Sequence, residues 1–379
     1  MVNSKNTNPI DYRLLVLVGV LVLIGFVVLV SASGPLGYAK QGGDSFYYAK
    51  HQLIFGLVPG LFALYALSRI PYGLWKKWSW HMLLISLLLL VAVFIPGLSS
   101  GFGTSHSWIN VFGLFSVQPA EIVKLTFLFY LAAWLEKRGT FEVKNFRSGF
   151  LPFVSVLLVI SLLIVAQPDV GTLSIIAAMA VSVYFAAGAS LAHIGILLLG
   201  GLAAFGLLIA VAPYRAARFT TFLYPELDPQ GVGYHINQAL LAIGSGGFFG
   251  LGYGHSRQKF EYLPEVAGDS IFAVFAEEMG FVFAVLLLLL FLWFFRRALK
   301  IAQNSPDAFG KFVVVGIASW ITIQALVNIG SMVGVMPMTG VTLPFISYGG
   351  TSLAISLAAI GVILNISRYG TQSLSTRWP

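Results

Sequence analysis

Long apolar runs, separated by short polar stretches, dominate the chain. A helix crossing a bilayer needs about 20 mostly apolar residues. Ten stretches meet that need: Leu14–Val30, Gln52–Leu67, Trp80–Ile95, Val117–Leu135, Leu151–Ala166, Thr172–Ala187, Leu191–Ala212, Ile271–Phe295, Phe312–Val333 and Ser347–Ile366. What remains is short connections and one long one, Pro213 to Ser270. No internal repeat is visible, so the inverted-repeat pattern of transporters has no support. The first run is too long for the apolar region of a signal peptide and lacks a convincing cleavage site, so it is expected to stay in the mature protein. The pattern predicts an all-α polytopic membrane protein. Residues 1–379 form one domain of about ten transmembrane helices, with an extracytoplasmic loop at about 213–270 between helices 7 and 8.

Composition narrows the functional classes. Only 9% of the 379 residues are charged and 58% are hydrophobic, whereas a soluble domain carries about 25% charged residues. A soluble enzyme, a nucleic-acid binder and a disordered chain are excluded on this ground. There are no cysteines, hence no disulfides, thiolate metal sites or Cys nucleophiles. The six histidines are scattered without an HxxxH pair.

The net charge of +8 is read as an orientation signal. With the N-terminus in the cytoplasm, that side holds Lys5, Arg13, Arg69, Lys76, Lys77, Lys137, Arg138, Lys144, Arg147, Arg296, Arg297, Lys300, Lys311, Arg368 and Arg377. The outer side holds only Lys40, Lys50, Arg215, Arg218, Arg257 and Lys259. This asymmetry fits the positive-inside rule. It places both termini in the cytoplasm and the long loop outside.

A charge inside a span costs several kcal/mol unless paired or hydrated, which makes it a functional-site hypothesis. The fourth span opens Gln118-Pro119-Ala120-Glu121-Ile122-Val123-Lys124. Pro119 suits a first helical turn, and Glu121 and Lys124, three apart, share a face and can pair. The pair either fixes helix packing or lines a polar cavity that touches substrate, and both can hold. The long loop, at 58 residues, far exceeds the 2–8 residues or so of an ordinary helix connection. It carries Tyr214-Arg215-Ala216-Ala217-Arg218, then Gly233-Tyr234-His235. A glycine-rich run follows from Gly244 to Gly254, and then Gln258-Lys259 through Leu263-Pro264-Glu265 to Asp269. The glycines permit close backbone approach to a ligand but form no P-loop. Asp269, at the mouth of the eighth span, is either a helix N-cap or a general base at the membrane boundary. Glu277 and Glu278 point about 100° apart on a helix and so are no acid/base dyad. Either packing or catalysis is open to them. Thr339-Gly340-Val341-Thr342-Leu343-Pro344-Phe345-Ile346-Ser347-Tyr348-Gly349-Gly350 reads as a ligand-facing re-entrant loop or a plain turn.

In four motifs and their order the chain resembles the SEDS family, the group that includes FtsW, RodA and SpoVE. The motifs are Gln118-Pro119-Ala120-Glu121 with Lys124, the Tyr214-Arg215 to Arg218 block, Gln258-Lys259 to Glu265 with Asp269, and Leu343-Pro344-Phe345-Ile346-Ser347-Tyr348-Gly349-Gly350. Thr342-Leu343-Pro344 and Ala132-Ala133-Trp134-Leu135 resemble the division branch more than the elongation branch. The resemblance implies a peptidoglycan glycosyltransferase that polymerises lipid II on the outer face of the cytoplasmic (inner) membrane. It implies a class B penicillin-binding protein as partner, with other division or elongation proteins, and a place at the division septum. The family's catalytic Asp falls on Asp269, and its span-four pair on Glu121 and Lys124. Three positions depart from the family. Val266-Ala267-Gly268 stands where Ala-His-Thr is usual, Ala120 where Ser is, and His235 where Gln is.

A mechanism consistent with these residues follows. Arg215, Arg218 and Lys259 would neutralise the diphosphate leaving group, and Asp269 would accept the proton of the attacking sugar hydroxyl. Direct displacement would invert the anomeric carbon. Gln258, Glu265, Ser347 and Tyr348 are the further expected substrate contacts. No motif requires a cofactor; a divalent cation (Mg or Mn) bridging diphosphate and carboxylate is compatible with the sequence. The rival readings are a lipid-linked precursor flippase, a RodA-like elongation polymerase and a non-catalytic scaffold.

Overall fold

A computed structural model of the protein describes residues 8–95, 99–102, 105–111, 115–211, 213–224, 231 and 233–370. Helices account for most of each of the ten apolar stretches. These are α1 (Tyr12–Lys40), α2 (Tyr47–Gln52) running through a π-turn into α3 (Val58–Arg69), α5 (Ser79–Ala92), α6 (Pro119–Val143), α7 (Leu151–Val165), α8 (Val170–Ala186), α9 (Leu191–Val211), α12 (Ile271–Gln303), α13 (Ala308–Met332) and α14 (Gly350–Tyr369). A short α4 (Gly73–Lys77) precedes α5. Seven of these segments are long and apolar enough to span a bilayer by those criteria alone, and α5 and α8 are shorter apolar helices. The polar residues of α6 set it apart from the seven. The chain is a polytopic helical membrane protein.

Helix starts follow local chemistry. Asp11, Asp169 and Asp307 cap α1, α8 and α13 by accepting the amides of Leu14 (2.9 Å), Thr172 (3.0 Å) and Gly310 (2.8 Å). Such caps satisfy donors that the first helical turn leaves open. At the centre lies α13, buried along most of its length between α12, α6, α8 and α14. On α9, by contrast, only His193 is buried. Exposed Leu199, Leu202 and Val211 make an outer surface that only an apolar solvent would tolerate.

The bundle has two distinct ends. Asp11 pairs with Arg297 (2.6 Å) and Tyr72 donates to Asp307 (3.1 Å); this end also carries the first and last described residues. Lys5 and Arg377 lie outside the described residues. The opposite end carries the long connections, and here the structure adds three features to the sequence-based picture. A small antiparallel sheet, β1 (Ser99–Phe102), β2 (Ser105–Val111) and β3 (Phe115–Val117), links α5 to α6. The all-helical expectation did not include it, because its strands are too short and mixed to show a period. Within the 213–270 connection two helices form, α10 (Pro213–Leu223) and α11 (Tyr234–Ser245).

The third feature is a break in α12 at Gly280, whose φ of 80° and ψ of 179° belong to a region open essentially to glycine alone. The polar groups freed by the break find partners in the glycine-rich run. Leu251 and Gly252 amides donate to the carbonyls of Glu277 and Glu278 (both 3.0 Å). Phe281 and Val282 amides donate to Gly247 and Phe248 carbonyls (2.9 and 3.2 Å). Irregular backbone at membrane depth survives only when protein satisfies it. Gly246 and Gly250 thus serve close approach to α12, a role the sequence did not suggest. A Cβ on Gly250 would overlap the Glu278 carbonyl, and one on Gly280 would overlap the Gly250 amide. Gly280→Ala is therefore expected to lower the thermal unfolding midpoint of the detergent-solubilised protein sharply. Backbone strain alone costs about 1–3 kcal/mol.

Candidate functional site

Asp269 sits immediately before Ser270, the residue that flanks the start of α12 at Ile271. Its backbone is held from α13: Asn328 Nδ2 donates to the Asp269 carbonyl (2.8 Å) and to the Val341 carbonyl (2.7 Å). Asn328 is fully buried, so one side chain ties the Asp269 turn to the 333–349 loop. From the other side the Tyr348 amide donates to the Ala267 carbonyl (2.8 Å). Two of the sequence motifs, more than 70 residues apart, are thereby joined.

The Asp269 carboxylate lies on the wall of a cavity of about 400 Å³. One face of α10 supplies Ala217, Arg218, Thr221 and Phe222, at spacings that fall together on a helix. The first turn of α11 supplies His235 and Ile236, and the loop after α13 supplies Met336, Met338 and Gly340. The lining is apolar, with one carboxylate, one guanidinium, one imidazole and one hydroxyl converging on it. That is the usual make-up of a small-molecule site. Asp269 Oδ1 is sealed from water and has no hydrogen-bond partner.

Burial pushes the Asp269 carboxyl up to about 7, and the nearby Glu265 charge adds to this. The amides of Asp269 and Ser270 and the Arg218 charge offset it only in part. A carboxylate near neutrality is suited to taking up a proton at physiological pH. His235 lies opposite, its Nε2 meeting Ser270 Oγ at 2.5 Å. Burial, with the Arg218 charge, brings its imidazole down to about 4, so it is neutral at pH 7. Asn328, His235 and Ser270 were not singled out as site residues from sequence. Asn328 falls within an apolar span, where a buried amide was the available signal. Asn328→Ala is expected to cut activity at least tenfold, since it frees the Asp269 turn; steady-state rates beside an unfolding curve check this.

The sequence-predicted residues divide into groups. Arg218 is exposed at the cavity and within electrostatic reach of Asp269. Arg215 lies on α10, but its side chain is outside the described residues. Glu265 is exposed beside Asp269, with φ of 47°, and its carbonyl accepts the Gly268 and Ser270 amides. Glu121 and Lys124 are buried and paired at 2.7 Å. Lys124 Nζ also donates to Gln324 Oε1 (2.8 Å) and lies over the Trp320 ring. Gln324 in turn donates to the Thr342 carbonyl (2.9 Å). The pair therefore supports the 333–349 loop from beneath and does not line the Asp269 cavity.

Ser347 Oγ accepts the Leu343 amide (2.8 Å) and is buried inside that loop. Tyr348 turns toward α2, its hydroxyl 2.9 Å from His51 Nδ1, and burial raises its pKa. Lys259 is not at the cavity either. It is buried, and its ammonium meets Glu278 (2.8 Å), Ser31 Oγ (2.9 Å) and the Gly254 carbonyl (2.7 Å). Those contacts occupy its three donors, which leaves none for a diphosphate. Gln258 donates its amide to Glu277 (3.4 Å), and its Oε1 is buried without a partner. Glu277 also accepts from Ser256 Oγ and the Arg257 amide (3.0 Å). Both adjacent glutamates thus anchor the 255–259 segment to α12, which settles their packing role.

Residues 12–372 match the family described as cell cycle protein, FtsW/RodA/SpoVE. Stage V sporulation protein E of Bacillus subtilis (strain 168) is 44% identical over 366 residues, covering 97% of this chain and 99% of that protein. A probable peptidoglycan glycosyltransferase FtsW of Trichlorobacter lovleyi is 40% identical, covering 94% of this chain and 93% of that one. Among solved structures, a chain of a peptidoglycan synthase complex that coordinates polymerization and crosslinking superposes with a TM-score of 0.76. It is 29% identical, with 96% of this chain and 99% of that one covered.

Proposed function

The chain belongs to the FtsW/RodA/SpoVE family, and on that premise we propose that it is a peptidoglycan glycosyltransferase that polymerises lipid II with Asp269 as general base. The observation that carries the base assignment is the Asp269 carboxylate itself. It is raised to about 7, holds an unpartnered Oδ1, and opens on a cavity at the loop-bearing end of a membrane bundle. The acceptor sugar hydroxyl gives its proton to Asp269 as its oxygen attacks the anomeric carbon of the donor. The bond to the diphosphate breaks on the opposite face, and the configuration inverts. Arg218, with Arg215 on the same helix, stabilises the departing diphosphate charge. The diphosphate is a good leaving group, so no second carboxylic acid is needed as it is in glycoside hydrolysis. Neutral His235 holds Ser270 and with it the first turn of α12.

Among the described residues no three His, Asp or Glu side chains converge as a metal site. A divalent cation (Mg or Mn) here would take its ligands chiefly from the substrate diphosphate, with the exposed Glu265 carboxylate beside the site as a protein ligand that leaves Asp269 free to act as base. In that position it would supply charge neutralisation.

On the same premise the proposed location is the cytoplasmic membrane with both termini inside; the crowding of Lys and Arg at the terminal end of the bundle supports this reading. A class B penicillin-binding protein is the proposed partner, and septal division, supported by Thr342-Leu343-Pro344, the proposed setting. Purified protein with that partner should convert lipid II, supplied on one side of a proteoliposome, into glycan chains. Movement of lipid II across the bilayer without new glycosidic bonds would instead make it a flippase.

A further inference from the structure

At the end of the bundle opposite Asp269, a second cavity of about 580 Å³ opens between α4, α5 and α6. Tyr130, Ala133, Trp134 and Lys137 line it from one stripe of α6, at i, i+3, i+4 and i+7. Lys76 and Ser79 face them. From Glu121 to Lys137 the helix rises about 24 Å, so the cavity lies close to a bilayer's thickness away from the catalytic end. Tyr130 and Trp134 are aromatic walls of the cavity, and the Trp80 ring stands 6.1 Å from that of Tyr130. Trp and Tyr gather in this way at the depth of lipid headgroups.

The charges around it are unequal. Glu136 is neutralised by Lys76 (2.6 Å), and Arg138 pairs with Glu142 (2.9 Å). Lys77 and Lys137 are exposed, and neither has an ion-pair partner among the described residues. A cavity at headgroup depth with surplus positive charge, a serine hydroxyl and aromatic walls matches a phosphate group attached to an acyl chain. We propose that this cavity binds the phosphate headgroup of an acidic membrane lipid, with Lys137 as its principal charge contact. The aromatic stripe of α6 packs along the start of the acyl chains, and Ser79 donates to a phosphate oxygen. Basic pockets between membrane helices recognise acidic headgroups in this manner.

Native mass spectrometry of the full chain in detergent, with phosphatidylglycerol or phosphatidylcholine added, tests the proposal. The wild type should retain phosphatidylglycerol preferentially. Lys137→Gln should weaken that retention about fivefold, the equivalent of about 1 kcal/mol for one lysine near a charged surface. Lys311→Gln, an exposed lysine at the same end but outside the cavity, should leave it unchanged. Equal retention of the two lipids, or a Lys137→Gln variant that binds like the wild type, would overturn the site. Displacement of the lipid by millimolar inorganic phosphate would overturn the lipid source and assign the cavity to free phosphate.

Discussion

Asp269→Asn should abolish lipid II polymerisation while leaving the fold intact. The substitution keeps size and shape but removes the proton acceptor, and general-base catalysis is worth about 10²–10⁴-fold in rate. Asn328 grips the backbone carbonyl of Asp269, not its side chain, so the turn survives the change. Stability gives an independent check with a definite sign. The folded carboxyl titrates at about 7, above the value of about 3.9 for an unfolded aspartate. The native state therefore holds the extra proton between those values, and this group's contribution turns against folding as pH rises from about 4 to about 7. The Asn variant has no proton to lose there. Its melting temperature should gain on the wild type across this window and stay at or above it at pH 8. A melting temperature that falls relative to the wild type as pH rises would contradict the environment assigned to Asp269.

Lys124→Ala should be the most damaging change for folding. Lys124 is fully buried and holds both Glu121 and Gln324. Its loss strands a carboxylate in the bundle, and breaking a buried pair from one side costs about 3–5 kcal/mol. Through Gln324 the damage reaches the Thr342 carbonyl and so the loop that meets Asp269. The double variant Glu121→Gln with Lys124→Met removes both charges and should recover much of the lost stability, because a well-packed neutral replacement of a buried pair is often tolerated. Unfolding midpoints of the two single variants and the double one separate the outcomes. Equal loss in all three would mean that the charge pair is not what the site depends on.

The spans were legible because membrane helices must bury or lipid-expose long apolar runs, a signal far stronger than any soluble helix gives. Asp269 stood out as a carboxylate at the mouth of a span in an otherwise charge-poor chain. The roles of Lys259 and the glycines were not legible. Lys259 lies in a basic, exposed-looking stretch, yet its partner Glu278 comes from a helix 19 residues on and Ser31 from α1. Only the break at Gly280 brings that helix end to the loop. The glycine run has the composition of a ligand-facing loop, and nothing local in it reveals that Gly247, Phe248, Leu251 and Gly252 pair with the carbonyls and amides of a broken helix. Glu121 and Lys124 were rightly paired by spacing. Their distance from the cavity depended on how α6 and α13 turn against each other, which a single sequence does not encode visibly. His235 was noted only as an unusual residue, and its contact with Ser270 gives it a place in the Asp269 turn.

The most direct test of Asp269 as the base is the pH dependence of kcat/KM for lipid II polymerisation, which reports the ionisation of the free enzyme. It is measured in proteoliposomes with the partner present. The rate should climb about tenfold per pH unit below about 7 and level off above it, following deprotonation of Asp269, and Asp269→Asn should erase that limb along with the activity. A profile flat from pH 5.5 to 8.5, or an Asn variant that polymerises on the same curve, would contradict the account.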